Sequence, residues 1–288
     1  SNTKFDKNSA NNDGGAIYVA ESTTTNIANS TFTNNSATNG GAIYVGQDSS
    51  VTITDSNFTN NTATNNGGAI YMDKNSTVTI NAIKANVTFS GNKAGDNSNS
   101  IYMDNNSTLN LIANNKRKIT IKDNIEVADN TAKIGIKTIG SGVVTIVNES
   151  ALSDNIVTLE NNSRTSLQNS KVGVTTFKSL EVNGTSRVSI DASLKSGKAD
   201  KIQAETVSGD GRVVANSINI ISNSKTPVDI NVGKDSVISS VTAKRAESAE
   251  ATYKLKSYYD ENGMLRVLAY GQKAKPAAVA APVAAQIG

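Results

Sequence analysis

A pair of short motifs recurs along the first third of the chain, and this repeat constrains the fold more than any other feature. In three units a Phe-x-x-Asn motif is followed by Gly-Gly-Ala-Ile-Tyr, and a fourth unit keeps the Phe, the Asn and Ile-Tyr without the glycines. Successive phenylalanines lie 27, 26 and 31 residues apart, and successive tyrosines lie 26, 27 and 31 apart. Such a period is typical of a solenoid, in which each repeat stacks on the next.

Each repeat contains three short β-type segments separated by Asn, Asp, Ser and Gly, such as 42–45, 51–54 and 56–59 in the second unit. No window shows apolar residues at helical spacing. Similar short β-type runs continue after residue 105, with a less regular period. We therefore predict an all-β, right-handed parallel β-helix of about ten coils, closed at its C-terminal end by a β-hairpin cap.

The alternation of a β-strand assigns a role to each repeated residue. Ile and the Val or Met two residues later should point into the core, and the Phe should form an aromatic ladder inside the solenoid. The Gly pair should form a corner where φ is positive or the backbone approaches closely. The Asn should adopt the left-handed conformation and bond to its equivalents in neighbouring coils. The predicted structural ladders are Phe5, Phe32, Phe58 and Phe89; Asn8, Asn35, Asn61 and Asn92; and the glycine pairs Gly14 and Gly15, Gly40 and Gly41, and Gly67 and Gly68.

Several missing residue types argue against catalysis. The chain has no Cys, His or Trp, which removes thiolate metal sites, cysteine nucleophiles and the commonest general base. Hydrolases can work with carboxylates alone, so these absences do not exclude an enzyme. We predict a protein that is not an enzyme and needs neither a cofactor nor a metal ion.

The net charge is small, at +3 over 288 residues. Residues 1–105 carry −3 and residues 106–288 carry +6, and the longest basic run is Lys116-Arg117-Lys118. A run of this length does not by itself form a groove that follows a phosphate backbone. Nucleic acid is therefore not an expected partner.

The paired Phe-x-x-Asn and Gly-Gly-Ala-Ile motifs of residues 1–105 resemble the repeats of chlamydial polymorphic outer-membrane proteins, which belong to the autotransporter (type V secretion) group. A second resemblance covers 199–202, 208–216, 253–255 and 260–268, which are similar to the last coils and closing hairpin of pertactin-type passengers. In that family this region acts as a folding nucleus. The resemblance implies a passenger exported across the outer membrane of a Gram-negative-type bacterium and attached to it only through a C-terminal β-barrel that lies outside this sequence.

These patterns divide the chain into four parts. Regular repeat coils are expected over 1–105, less regular coils over 106–198 and an autochaperone-like cap over 199–271. An Ala-, Pro- and Lys-rich linker is expected over 272–288. The first residues read as a repeat cut through its middle, so we expect the natural protein to continue upstream.

If Ile and Val face inward, the neighbouring tyrosines Tyr18, Tyr44, Tyr71 and Tyr102 face outward and form a candidate binding ladder. The alternative is that these rings only stack on one another. Asp73 and Asp104 occupy equivalent places in two units. Stacked carboxylates of this kind could bind Ca²⁺ or act as the acid pair of a hydrolase, and the alternative is that both are turn residues. The exposed Ser, Thr and Asn faces are a third candidate contact surface, or serve solubility alone.

We therefore predict a surface-exposed passenger that acts as an adhesin or self-association module. Its expected partners are a host surface protein, a host glycan or a second rod. A polysaccharide-acting β-helix enzyme would instead need a loop that forms a cleft, and the only visible insertion is a short one at 81–86. A passive stalk that displays an N-terminal module is the other alternative.

Overall fold

The computed structural model describes residues 2–285. These residues contain no helix, and about 55% of the chain lies in strands that wind through about nine turns of a β-solenoid. The predicted all-β parallel solenoid is confirmed, with about one turn fewer than expected. Numbered in chain order, the strands are β1 Lys4–Asp6, β2 Ile17–Val19, β3 Thr24–Ala28, β4 Thr31–Thr33, β5 Ser36–Asn39, β6 Ile43–Val45, β7 Ser50–Thr54, β8 Asn57–Thr59, β9 Thr62–Asn66, β10 Ile70–Met72, β11 Thr77–Ala82, β12 Val87–Ser90, β13 Lys93–Ala94, β14 Asn97–Ser98, β15 Ile101–Met103, β16 Thr108–Ala113, β17 Lys118–Ile121, β18 Ile125–Val127, β19 Lys133–Thr138, β20 Val143–Ile146, β21 Ile156–Leu159, β22 Arg164–Ser166, β23 Val174–Val182, β24 Thr185–Ser193, β25 Lys198–Ala199, β26 Lys201–Ser208, β27 Arg212–Ser222, β28 Val228–Asn231, β29 Ile238–Val241, β30 Arg245–Glu247, β31 Ala251–Tyr259 and β32 Leu265–Ala274.

Each regular coil contributes one strand to each of four sheets. The tyrosine sheet contains β2, β6, β10, β15 and β18, and the threonine sheet contains β3, β7, β11, β16, β19, β21, β23 and β26. The phenylalanine sheet runs from β1 through β4, β8, β12, β17, β20, β22 and β24 into the cap strands. A short fourth sheet contains β5, β9, β13 and β14. The predicted three-strand coil therefore has a fourth, short strand after the Phe-x-x-Asn motif.

The register places identical residues in line. Phe5 lies beside Phe32 and Phe32 beside Phe58, and the tyrosines align in the same way. The inward positions of the tyrosine and threonine sheets are closed to solvent, as the alternation predicts. Residues with zero exposure there include Ile43, Val45, Ile70, Met72, Val51, Ile53, Val78 and Ile80. Ile17, in the first described coil, is only partly buried because its coil has a neighbour on one side.

After residue 105 the threonine and phenylalanine sheets continue, whereas the fourth sheet has ended at β14 and the tyrosine sheet ends at β18. Some of the later strands are much longer than those of the first coils. β23 and β24 each have nine residues and β27 has eleven, compared with two to six in the strands before residue 105. Leu109, Ile134, Val157 and Leu180 continue the buried column of the threonine sheet. The less regular sequence therefore keeps the same core position from coil to coil.

The predicted hairpin cap is present. β31 and β32 pair antiparallel, from Tyr259 beside Leu265 to Ala251 beside Ala274, and β32 also pairs antiparallel with β28. In the connecting turn, Asp260 Oδ1 accepts hydrogen bonds from the amides of Asn262 and Met264. The hairpin pairs with β28 through β32 and with β30 through β31, so neither of these strands presents an unpaired edge to another chain.

The last strand runs to Ala274 and so includes the first three residues of the predicted linker. Lys275 Nζ then donates to Glu247 Oε2 at 2.9 Å. The strand-free segment consequently begins later than the composition indicates, and its final residues lie outside the described part. The division of the rest of the chain into functional parts stays a prediction.

Among residues 2–285, the structure has no helix that is both long and apolar enough to cross a membrane.

Candidate functional site

The Gly pairs form the corner that precedes each strand of the tyrosine sheet, and the two glycines are needed for different reasons. The first has positive φ in every regular unit, at 67° for Gly14, 65° for Gly40 and 70° for Gly67. At the second, a Cβ would approach the next coil too closely. On Gly41 it would lie 2.2 Å from the carbonyl oxygen of Gly68, and on Gly15 it would lie 2.1 Å from that of Gly41. Gly68 is in the same position against Asn99.

The phenylalanines form the predicted ladder on the inner side of the phenylalanine sheet. The ring centroids are 4.7 Å apart between Phe5 and Phe32, and 4.8 Å apart for the next two pairs up to Phe89. The rings are parallel within 3°. Phe32, Phe58 and Phe89 are fully buried, whereas Phe5 lies in the first coil and is partly exposed. This ladder fixes one coil over the next.

The asparagines form a second ladder, which is buried from Asn35 to Asn92 and exposed at Asn8. The Nδ2 of each Asn donates to the Oδ1 of the next, at 3.0 Å from Asn8 to Asn35, 2.9 Å from Asn35 to Asn61 and 3.0 Å from Asn61 to Asn92. The Nδ2 of Asn61 also donates to the carbonyl of Phe32 at 2.9 Å. The predicted coil-to-coil amide bonds are present.

The predicted left-handed conformation of these four asparagines is wrong. It belongs to the preceding residue of each motif, with φ of 57° at Lys7, 57° at Asn34, 54° at Asn60 and 73° at Gly91. The turn thus occurs one residue earlier than expected, because the ladder Asn must be turned inward to reach its neighbours.

The Asn ladder ends on a carboxylate that the sequence reasoning did not identify. Asp123 Oδ2 accepts hydrogen bonds from Asn92 Nδ2 at 3.0 Å and from Ser100 Oγ at 2.7 Å. Its two oxygens also accept the backbone amides of Gly91 and Asn92. Asp123 is 6% exposed. Ile121 pairs with Phe89 in the next coil, and Asp123 comes two residues after it. In the repeat motif the Asn comes three residues after the Phe, so this shortened spacing is the sequence signal that could have identified Asp123.

The tyrosines lie on the outer side of the tyrosine sheet, as the alternation predicts. Their ring centroids are 5.2 Å apart between Tyr18 and Tyr44 and 5.1 Å apart for the next two pairs. Tyr18 is 58% exposed, and Tyr44, Tyr71 and Tyr102 are half-buried. Because each inner ring is covered on both faces by its neighbours, the ladder exposes mainly ring edges and hydroxyl groups.

Two hydroxyls of this ladder are fixed by carboxylates of the following coil. Tyr44 donates to Asp73 Oδ2 at 2.6 Å and Tyr71 donates to Asp104 Oδ2 at 3.2 Å. Burial raises the pKa of both tyrosines well above the ordinary value, and the bonded carboxylates raise it further. The pKa of Tyr102 is also raised, first by burial and then by the charges of Asp104, Glu126 and Asp129. These hydroxyls therefore remain neutral donors at physiological pH.

Asp73 and Asp104 have a positional role in this arrangement. Besides the tyrosine hydroxyls, Asp73 Oδ1 accepts the amide of Lys74 at 2.7 Å and Asp104 Oδ1 accepts the amide of Asn105 at 2.8 Å. They thus turn the chain at the end of their strands and orient the rings of the coil before. The described residues contain no group of three or more Asp or Glu side chains that could hold a metal ion.

The insertion at 81–86 is a tight corner held by one carboxylate. Asp55, which is 8% exposed, accepts the backbone amides of Ile83, Lys84 and Ala85. Its two oxygens are occupied by these bonds and lie inside the corner. The insertion therefore presents a short turn to solvent, with a partly exposed Ile83.

The fold and ladders define a β-solenoid repeat protein. Three of its segments, residues 2–20, 29–46 and 55–73, match the Chlamydia polymorphic membrane protein repeat. The matched segments contain the first three Phe-x-x-Asn and Gly-Gly-Ala-Ile-Tyr units, as the resemblance implied. No curated protein sequence matches the chain significantly.

Three such repeats on a β-solenoid fit an autotransporter passenger with polymorphic membrane protein repeats. The chain carries three polymorphic membrane protein repeats at its N-terminal end, and this family of repeats implies a place at the outer membrane or cell surface.

Proposed function

We propose that the passenger is an adhesin that works through contact rather than chemistry, and that the tyrosine ladder is its contact surface. The observation that carries this proposal is the strip of four stacked outward-facing rings, spaced by 5.1 to 5.2 Å along the rod. Aromatic side chains supply rigid contact area with little loss of conformational entropy.

The bonds to Asp73 and Asp104 favour a recognition role because they hold two rings before any partner arrives. A surface that is already ordered loses less entropy on binding. Since the ring faces are covered, the strip suits a partner that contacts ring edges and hydroxyls along a line. A second rod or an extended segment of a host protein has that shape.

Sedimentation velocity over a concentration series tests self-association. The test variant changes Tyr18, Tyr44, Tyr71 and Tyr102 to Ser, and a second variant changes only the exposed Tyr18. The control changes Tyr258 and Tyr259 to Ser, two exposed tyrosines of the cap hairpin. We expect the parent and control to associate and the ladder variants, still folded by circular dichroism, to remain monomeric.

A parent that stays monomeric at every concentration contradicts self-association. Binding of labelled parent and ladder variants to host cells then separates a host ligand from a passive stalk. Equal binding of the parent, ladder and control proteins would exclude the ladder as the adhesive surface.

A further inference from the structure

Stacking brings together basic residues that are far apart in the sequence. In the phenylalanine sheet Lys118 pairs with Val143, which occupies the same outward column as Arg164, and Arg164 pairs directly with Arg187. Successive strands in a sheet are about 4.8 Å apart. We call Lys118, Arg164 and Arg187 the cationic column. We propose that it binds a linear sulfated polysaccharide that runs along the rod.

The column has a net positive charge that the protein does not neutralise. The ion pairs found within residues 2–285 involve Lys171, Lys178, Arg266 and Lys275, and none of these belongs to the column. Like charges on directly paired rungs are destabilising, so the Arg164–Arg187 pair has a cost in the free protein. A bound anion would remove that cost.

Hydrogen bonds hold both guanidinium groups in place. Arg164 Nε donates to the carbonyl of Gly140 at 3.0 Å, and Arg187 Nη1 donates to Asn162 Oδ1 at 3.2 Å. These contacts use one donor of each group and leave the others available at a half-exposed surface. Guanidinium groups bind oxyanions such as sulfate through paired N–H donors, which gives both strength and direction.

A column of hydroxyl groups lies beside the cationic column on the same face. Thr120 pairs with Thr145, Thr145 with Ser166, and Ser166 with Ser189. The outward positions at which these strands pair are therefore cationic, hydroxyl-bearing or, at Val143, apolar, and none is acidic. Hydroxyl groups can bond to the ring hydroxyls of a sugar chain while the cations bind its sulfates.

Two further cations lie beside the cationic column, and we call the column, its hydroxyl neighbours and these two cations the cationic strip. The exposed Lys116 precedes the column, and the exposed Arg212 pairs with Thr185, two residues before Arg187. The nearest acids in the sequence are Asp123, Glu160, Asp191 and Asp210, and none of them forms an ion pair with the strip. Asp123 and Asp191 are buried. Asp210 Oδ1 instead accepts the amide of Gly184.

The surface favours a sulfated polysaccharide over nucleic acid. Single-stranded nucleic acid binds through cationic grooves that carry aromatic side chains for base stacking, and the paired positions of this strip include none. Its cations follow a straight line set by the strand stack, which fits a linear chain with regularly spaced anions. The strip lies on a different sheet from the tyrosine ladder, so the two surfaces can be tested separately.

The test is binding of the full chain to immobilised heparin by surface plasmon resonance at several salt concentrations. The column variant is Lys118→Gln, Arg164→Gln and Arg187→Gln, all at outward positions where the core is unaffected. The charge-matched control is Lys133→Gln, Lys137→Gln and Lys225→Gln, exposed residues away from the strip. We expect the column variant to lose at least tenfold in affinity and the control less than about threefold.

The salt dependence gives a second readout. The slope of log affinity against log salt should fall by roughly one for each column cation removed, because each contact releases a counterion. Desulfated heparin should bind at least tenfold more weakly than heparin. The variant with four tyrosines changed to Ser should bind heparin like the parent, whatever its self-association.

Three results would overturn the inference. The first is no heparin binding by the parent at low salt, and the second is an equal loss in the column and control variants. The third is tighter binding of a single-stranded DNA of equal charge, with the same dependence on the column. Each leaves the sedimentation test of the tyrosine ladder unchanged.

Discussion

The hydroxyl of Tyr44 donates a 2.6 Å hydrogen bond to Oδ2 of Asp73, which belongs to the following coil. The bond joins neighbouring turns of the rod through side chains on its outer surface, in addition to the backbone ladder. It also gives an exposed aromatic strip a defined geometry, which few surface side chains have.

The Tyr44–Asp73 bond predicts how the pKa of Tyr44 responds to a change at Asp73. Asp73→Asn should lower the pKa of Tyr44 toward its ordinary value, because it removes both the charge and the strongest acceptor. The ultraviolet absorbance of the phenolate measures this shift directly. Asp48→Asn, which changes an acid that bonds to Asn75 rather than to a tyrosine, is the control and should leave the titration unchanged.

The same shifts set the sign of the alkaline stability change. The folded pKa of Tyr44 and Tyr71 lies above the unfolded value of about 10, so the folded state keeps protons that the unfolded state loses. The free energy of unfolding should therefore decrease as the pH rises above about 10. Stability that stays constant up to higher pH in the parent would contradict this account.

The buried amide ladder predicts a large loss of stability for Asn61→Ala. The change leaves the amide and Nδ2 of Asn35 without their acceptor and the carbonyl of Phe32 without its side-chain donor. Buried polar groups that lose partners cost about 1 to 3 kcal/mol each, so we expect a decrease of roughly 3 kcal/mol or more in urea unfolding. Asn60→Gly, at the neighbouring residue with φ of 54°, should change stability by less than about 1 kcal/mol.

The close approach at the second corner glycine predicts that Gly41→Ala destabilises the rod. Its Cβ would lie 2.2 Å from one carbonyl oxygen and 2.4 Å from another, and both belong to backbone that cannot move alone. We expect a loss of at least about 2 kcal/mol. Gly135→Ala is the control, because there the Cβ meets only the movable end of Asn110 at 3.2 Å. Equal effects of the two changes would show that the close contact at Gly41 is not responsible for the loss.

The buried carboxyl group of Asp200 should make the free energy of unfolding depend on pH between pH 4 and 7. Burial raises the pKa of its carboxyl to about 7, against the opposing hydrogen bonds from the amides of Asp191 and Gly173, and the charges of Asp191 and Glu149 raise it further. The folded pKa lies above the unfolded value of about 3.9, so the folded state binds the extra proton between pH 4 and 7. The free energy of unfolding should therefore decrease as the pH rises from 4 to 7, by on the order of 4 kcal/mol at most.

Urea unfolding between pH 4.5 and 7.5 measures this slope. Asp200→Asn should flatten it, since the variant has no proton to lose at this position. Asp235→Asn, at an exposed residue nearby with φ of 53°, should keep the slope of the parent. A parent whose stability rises across the interval would show that the two backbone hydrogen bonds keep Asp200 ionised.

Much of the regular region could be predicted from sequence, since a repeat of constant length puts equivalent residues in equivalent positions. The inward Ile and Phe, the outward Tyr and the two roles of the Gly pairs all follow from alternation and spacing. The left-handed turn was placed one residue late, at Asn35 and its equivalents rather than at Asn34. Either asparagine suits that conformation, and only the inward direction of the ladder decides between them.

The contacts between coils could not be predicted in the same way. The Tyr44–Asp73 bond depends on the direction in which the tyrosine side chain extends along the rod. The position of Asp73 is occupied by Ala20 and Gly46 in the first two units, so the repeat pattern does not indicate the bond. The cationic column joins Lys118, Arg164 and Arg187 across corners of unequal length, so no fixed spacing marks it in the sequence. Charge runs within the sequence are therefore a poor guide to charge along a solenoid.

Asp123 gives the Asn ladder a direction and an end. From Asn8 to Asn92 each side-chain amide donates one hydrogen bond to the next coil toward the C-terminus. From Asn35 onward it donates a second one back to the carbonyl of the Phe in the preceding coil. Its two oxygens accept all the hydrogen bonds made here, and the side chain of Asp123 has no N–H to donate to a coil beyond it. The series of side-chain hydrogen bonds therefore ends at Asp123, and this one acidic side chain limits the number of coils that the ladder joins.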